Sequence, residues 1–324
     1  MCLTSLSPSR TATPTARDLA SKAVATQIAR LGEEQGKVQG LSNLYWAWLN
    51  KVAERLEADY PDKKIVGLAY ASVRMPPPFK LHKNIIAWLV FKMSDIVIDK
   101  RFTDNAASFQ GWAEAASAVG QHDWAYGRGY LVPRIYTDYT RRTFLEFEKM
   151  GAPIRYAYSE VGVNWGLDGP KIYLLARMWW DPHIDVDAEL KEFCDDLFGP
   201  SGKPLYDYFK LWETLSCEPL NRRTEQKLYR WTRQFTEWTD EELDLLVRAR
   251  RLLDTAAGRT VPDSQAARRI ELFSKTFRLT EKLVAIGNAD RVDPATLEDV
   301  RKYFREVIIP DPMTIHARGE REQL

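Results

Sequence analysis

The 324-residue chain has a formal net charge of +1 with 28% charged residues, so no global field draws it to nucleic acid or to an anionic membrane. Cys2, Cys194 and Cys217 stand far apart in no metal-ligand spacing, and no apolar run reaches the ~20 residues needed to cross a bilayer. The opening MCLTSLSPSRTATPTARD has no continuous apolar core of signal-peptide type, which leaves the compartment open. Aromatic content is the unusual feature: the chain has 11 Trp and 14 Tyr, and all of them but Tyr303 lie between Tyr45 and Trp238. Such side chains mostly fill cores, but their flat faces also suit the apolar faces of sugar rings.

Residues 1–40 read as a poorly ordered leader rich in Ser, Thr and Pro, with a weak helix over Ala16 to Glu34. Leu41 to Tyr60 places Leu44, Trp48, Val52 and Leu56 at helical spacing, and Pro61 ends the run. Lys64 to Ser72 reads as a buried strand, Met75 to Phe79 as a proline turn, and Asn84 to Phe91 as a second apolar strand. Thr103 to Val119 predicts a helix, His122 to Tyr126 a third strand, and Asp138 to Met150 a helix. Ile154 to Tyr158 is a fourth strand, and Gly169 with Pro170 opens the next helix. Strands and helices alternate, which argues α/β with parallel pairing.

Beyond Trp180 the strand signals stop. Val186 to Phe198, Tyr206 to Leu215, Asp240 to Ala257 and Ser264 to Ile286 all carry helical patterns. Four domains of behaviour follow: the leader at 1–40, a β/α region at 41–218, a helical region at 219–304 and a loose tail at 305–324. Four strands make either an open sheet or half of an eight-stranded barrel.

Carboxylates at strand C-termini are the natural candidates for chemistry. Glu160 follows the fourth strand and Asp123 lies in the third, between His122 and Trp124. Glycoside hydrolysis needs two carboxyl groups flanking the bond, and these two fit if their strands are neighbours. Asp123 would serve equally well as a structural partner of Arg128 or Arg155, and Glu160 as a loop carboxylate. Asn164 and Trp165 share a loop with Glu160, offering an amide and an indole to a sugar, although Trp165 suits a hydrophobic plug as well. Tyr70 and Arg74 follow the first strand at the same edge, where a guanidinium would grip a carboxylated sugar. His82 and His183 stand in no metal spacing, and the motifs GxGxxG, GxxxxGK[ST] and GxSxG are absent from the sequence. No metal or cofactor is expected. The arginine runs around Arg248 and Arg268 alternate with acids and read as solvated salt-bridged faces.

Four blocks of the sequence, LSNLYWAWLNKVAERLEADYPDKKIVGLAYASVRMPPP, HDWAYGRGYLVP, GAPIRYAYSE and KIYLLARMWWDPHIDVDAELKEFCDDLFGP, resemble the bacterial domain-of-unknown-function family 4838. The likeness runs from about Leu41 to Glu213. It implies a glycoside-hydrolase-like protein, with the four strands as the fifth to eighth of a (β/α)8 TIM-type barrel ahead of an all-helical C-terminal region. Asp123 matches the family's W-D-Y strand end, here H-D-W, and Glu160 the polar position on its last strand. The family's Asn-Asp strand end and cysteine loop have no counterpart in Met1 to Gly40, so the expected partners are a carbohydrate and either a missing N-terminal half or another subunit. Hydrolysis by Glu160 and Asp123, with Trp165, Asn164, Tyr70, Arg74 and Trp124 lining the sugar site, is the first expectation. A non-catalytic carbohydrate-binding remnant or a helical interaction protein acting through Asp240 to Ile286 is the alternative.

Overall fold

The computed structural model describes residues 37–90, 108–123, 131–151, 154–159, 165–217 and 235–314. The predicted leader helix, Trp124, Glu160 and Asn164 lie outside the described residues. In chain order the elements are α1 (Lys37–Asp59), β1 (Ile65–Ala69), a 3-10 turn (Ala71–Val73), β2 (Ile85–Val90), α2 (108–115) and β3 (Val119–Asp123). They continue with α3 (Thr137–Lys149), β4 (Ile154–Ser159), α4 (Trp165–Trp180), α5 (Val186–Phe198) and α6 (Gly202–Cys217). The C-terminal region supplies α7 (Asp240–Ala257), α8 (Gln265–Gly287) and α9 (Pro294–Tyr303).

The expected third strand begins three residues earlier than the sequence pattern placed it, at Val119 rather than His122. The alanine-rich stretch before it reads as helix by propensity, yet the last helical bond runs from Ala116 N–H to the Trp112 carbonyl. Ala118 has already turned to accept from Ala87 of β2, so sheet pairing overrides propensity here. Gly120 suits that pairing, because a Cβ there would sit 2.5 Å from Cδ1 of Trp88 on the neighbouring strand.

A second difference lies at α4, which starts at Trp165 instead of Gly169 and takes Pro170 into its interior. Proline offers no N–H to the carbonyl four residues back, which is that of Gly166. The Thr276 hydroxyl of α8 lies 3.0 Å from this oxygen and supplies the missing donor. Elsewhere the helix starts follow their caps. Thr239 and Glu242 form a reciprocal capping box at α7, while the Asp185, Ser264 and Asp293 side chains accept from the first turns of α5, α8 and α9.

The four strands form one sheet in the order β1-β2-β3-β4, every pair parallel. Right-handed crossovers between strands laid down in sequential order place all connecting helices on one face. The side chains agree with that rule. Ile65, Ala69, Ile85, Ala87, Leu89, Val119 and Ile154 pack with Trp46, Leu49, Trp112 and Phe147 of the helices. The alternate positions Val66, Leu68, Ile86, Trp88, Val90 and Tyr156 belong to none of the three hydrophobic cores. A register shift beside Val119 and Gly120 turns β4 over, so Ile154 faces the helices and Tyr156 the other side.

The largest core lies away from the sheet. It joins Val132, Phe144 and Leu174 to Phe198, Phe209 and Trp212, and then to Leu246, Ala249, Phe273 and Phe277 of α7 and α8. The C-terminal helices therefore share one interior with the helices of the β/α region. Asp123 of β3 and Ser159 of β4 stand directly opposite each other, so the C-terminal ends of these strands are adjacent. An α/β protein with a four-stranded parallel sheet is thus established.

Candidate functional site

Around the C-terminal edge of the sheet the sequence-predicted residues separate into two groups, one on each face. Val66 and Leu68 are 42% and 43% exposed, Tyr156 is 41% and Tyr70, just past β1, is 48%. They lie on the helix-free face, the one that no described helix covers, where Ile86 is buried and Trp88 and His122 are half-buried. Tyr70 is followed by Ala71 in the left-handed region at φ 49°, a conformation that costs an L-residue about 1–2 kcal/mol. That strained turn is pinned from the helix side. Trp46 Nε1 donates to the Val73 carbonyl at 3.1 Å, Trp112 Nε1 to that of Arg74 at 3.3 Å, and Ser42 Oγ to that of Met75. Arg74 is exposed and curls back, its guanidinium donating to the Ala71 carbonyl at 2.9 Å.

Asp123 has the opposite parity. It shares the helix-covered face with Gln121 and is 1% exposed. Around it lies a group of charges that the sequence reading did not single out. Lys171 and Asp168 of α4 form an ion pair of 2.7 Å with both side chains 2% exposed, and Arg134 is 3% exposed. The Lys171 ammonium also lies 4.9 Å from the centre of the Tyr136 ring. Burial pushes the Lys171 amine below the ordinary lysine range; Asp168 pulls it back up, Arg134 pushes it further down, and Asp123 opposes. Two acids and two bases balance in charge, as an assembly removed from water requires. Nearby, the Trp179 indole donates to Gln121 Oε1 at 2.9 Å, fixing α4 to β3. The signal that would have revealed this group is the i, i+3 pair Asp168 and Lys171 set in the otherwise apolar opening of α4.

The expected partner of Asp123, Glu160, lies outside the described residues. The strand ends are adjacent, and the residue opposite Asp123 is Ser159. Trp165 opens α4 and is half-buried, its ring lying 3.4 Å from where a Cβ on Gly169 would stand, so it folds back along its own helix. Tyr70 and Arg74 lie two strands away from β3, beyond β2.

Glu213 is a further buried acid. Its Oε1 accepts from Thr137 Oγ1 at 2.5 Å and from the Asp138 N–H at 3.0 Å, while Oε2 accepts from Lys210 at 2.7 Å. It caps α3 from a distant helix, where a carboxylate also meets the positive end of the helix dipole. Beside it a groove of about 650 Å³ runs between α3, α5 and α6 on the helical side. Along it Arg142 pairs with Asp138 and Lys210 with Asp187, while Arg141 Nε donates to the Ile184 carbonyl at 3.1 Å and Asp185 caps α5. Among the described residues no three metal-capable side chains cluster, and no described helix is long and apolar enough to cross a membrane.

The family model described as "Domain of unknown function (DUF4838)" matches residues 20–210. The chain belongs to the DUF4838 family. No curated protein and no solved structure matches it. In this DUF4838 chain the matched segment takes in all four strands, the strained turn after Tyr70 and the buried charges under β3, and ends within α6.

Proposed function

We propose that this chain is a carbohydrate-active protein of glycoside-hydrolase type, built on the C-terminal half of a (β/α)8 barrel, with the sugar held against the helix-free face. The observation that carries this reading is the segregation of the sheet's two faces. One is sealed by helices and by a neutral group of buried charges. The other presents Tyr70 and Tyr156, both partly exposed, with His122 and Trp88 between them. Aromatic rings at the C-terminal edge of parallel strands, beside an acid, suit the stacking and proton transfer that glycosidic cleavage needs.

In this reading Glu160, which directly follows the β4 residue Ser159 in the sequence, is the acid that protonates the leaving oxygen. Asp123 anchors the end of β3 through the charges of Arg134, Asp168 and Lys171 and does not react. Asn164, Trp165, Trp124, Tyr70 and Arg74 border the sugar. The second carboxylate comes from outside the four strands, and without it the same cleft binds sugar and does not turn it over.

The test is titration calorimetry and hydrolysis on a panel of oligosaccharides with wild type, Tyr156→Ala, Asp123→Asn and Glu160→Gln. Tyr156→Ala should weaken binding about two- to tenfold, the worth of one aromatic contact of about 0.5–1.5 kcal/mol. Glu160→Gln should abolish any hydrolysis while leaving affinity and circular dichroism unchanged, and Asp123→Asn should lower the melting temperature. Failure of the wild type to bind any sugar, or hydrolysis that survives Glu160→Gln, would sink the reading.

A further inference from the structure

We propose that the hollow beside Trp180, where α3, α4 and the start of β4 meet, is a separate sugar-binding site in which one neutral pyranose ring stacks on the indole. It lies apart from the cleft proposed above and does not depend on it. Ile154, the first residue of β4, borders the hollow, whereas the cleft lies beyond Ser159 at the other end of the strand. At about 3.3 Å per residue the strand alone separates the two by about 16 Å.

Trp180 is 91% exposed, more than any other large apolar side chain among the described residues, although Met178 two positions before it is 1% exposed. The helix end that carries it is fixed on three sides. The Arg177 guanidinium grips Glu189 of α5 at 2.9 and 2.6 Å, and the Trp179 indole donates to Gln121 of β3 at 2.9 Å. Asp181 then turns the chain by accepting from the His183 N–H at 2.8 Å. A firmly held backbone, not a loose loop, presents this ring to water.

Beside the ring the hollow has a volume of about 380 Å³, within the range of small-molecule pockets. Its floor is apolar, with Phe144 and Met178 buried and Ile154 and Trp179 half-buried. Its charged or titratable groups are the Glu148 carboxylate and the His183 imidazole, whose Nε2 lies 2.9 Å from Glu148 Oε2. A mostly apolar lining with a few convergent polar groups is the make-up of a ligand pocket. When the neutral imidazole donates its Nε2–H to the carboxylate, Nδ1 and the other carboxylate oxygen remain as acceptors. The ligand that fits has an apolar face for the indole and hydroxyl donors on its edge, which describes a pyranose. A phosphorylated or carboxylated ligand would meet the Glu148 charge. An aliphatic chain would strip water from both acceptors and return no donor.

The test is a nuclear magnetic resonance titration of the full chain, isotope-labelled at its tryptophan indoles, with cellotetraose, xylotetraose, mannotetraose and chitotetraose. At least one of them should move the Trp180 indole resonance, which is identified by its disappearance in Trp180→Ala. That variant removes a ring that lies in water, so it should fold as the wild type does, and it should weaken the binding about tenfold or more. Trp180→Phe keeps an aromatic platform and should retain most of the affinity, Glu148→Ala should lose several-fold, and Tyr156→Ala in the other cleft should change nothing at this resonance. A Trp180 resonance that none of the four sugars moves, or one that choline chloride moves and the sugars do not, would overturn the proposal. Sugar binding lost in Tyr156→Ala and kept in Trp180→Ala would leave the cleft standing and remove this site. The reverse pattern would establish this site and count against the cleft.

Discussion

The Thr276 side chain of α8 reaches the Gly166 carbonyl of α4 at 3.0 Å, at the one place where Pro170 leaves that carbonyl without its helical donor. The same hydroxyl lies 2.7 Å from the Leu272 carbonyl of its own helix, so its single proton bridges two helices. The approach is so close that a Cβ at Gly166 would fall 2.2 Å from Thr276 Oγ1. Thr276→Val keeps the shape and removes the donor; it should cost about 1–3 kcal/mol, the penalty of an unsatisfied buried carbonyl. Thr276→Ser should retain more of the stability, and urea unfolding of the two variants separates the hydrogen bond from the methyl contact.

Asp168 and Lys171 form a pair that loses far more by being halved than by being removed. Asp168→Asn leaves a buried ammonium beside Arg134 and should destabilise the fold by about 3–5 kcal/mol. Asp168→Leu combined with Lys171→Met takes out one charge of each sign and should restore most of that loss. Equal damage from the single and double variants in a double-mutant cycle would contradict the ion-pair account.

Acid stability carries the signature of Glu189. Hydrogen bonds from Arg177 Nε at 2.9 Å and Nη2 at 2.6 Å hold its carboxyl below the usual range against the opposing effect of burial, and the Tyr173 hydroxyl adds a third at 3.1 Å. A carboxyl lowered in the folded state stabilises fully above its unfolded pKa of about 4.3 and loses that contribution as pH falls through the folded value. Glu189→Gln should therefore lower stability at neutral pH and flatten the acid limb below about pH 4.3. Arg177 is 47% exposed, so solvent screening keeps the effect small.

Gly120 tests the packing of the helix-free face. Any side chain there meets the Trp88 indole, whose Cδ1 is 2.5 Å from the Cβ position. Gly120→Val should displace the ring, which near-ultraviolet circular dichroism reads, and lower the melting point. Gly67→Val should be as damaging on the other face, where the obstruction is the Trp46 ring at 2.5 Å.

Much of the strand and helix order was legible because each carried its own period or cap. Asp240 to Ala257 showed through its Leu, Ala and Arg spacing alone, and the structure adds the Thr239 capping box. β3 was misplaced because Ala115 to Val119 prefers a helix locally, and only pairing with β2 makes it turn. α4 was begun too late because proline reads as a first-turn residue, and the remedy for Pro170 is Thr276, 110 residues from the Gly166 carbonyl it serves. Asp123 was placed near a strand end by position, but which face it occupies depends on the register of β3 with its neighbours. No local pattern in HDW or in YSE encodes that.

The core shared by the two halves of the chain bears on where the folding unit ends. Similarity to DUF4838 stops at residue 210, within α6, yet Phe209 and Trp212 of that helix are enclosed by Leu246, Phe273 and Phe277 further on. The stretch that sequence comparison delimits and the stretch that unfolds as one cooperative unit are thus different lengths, and a chain cut at the family boundary would lose the aromatic side chains that keep α6 dry.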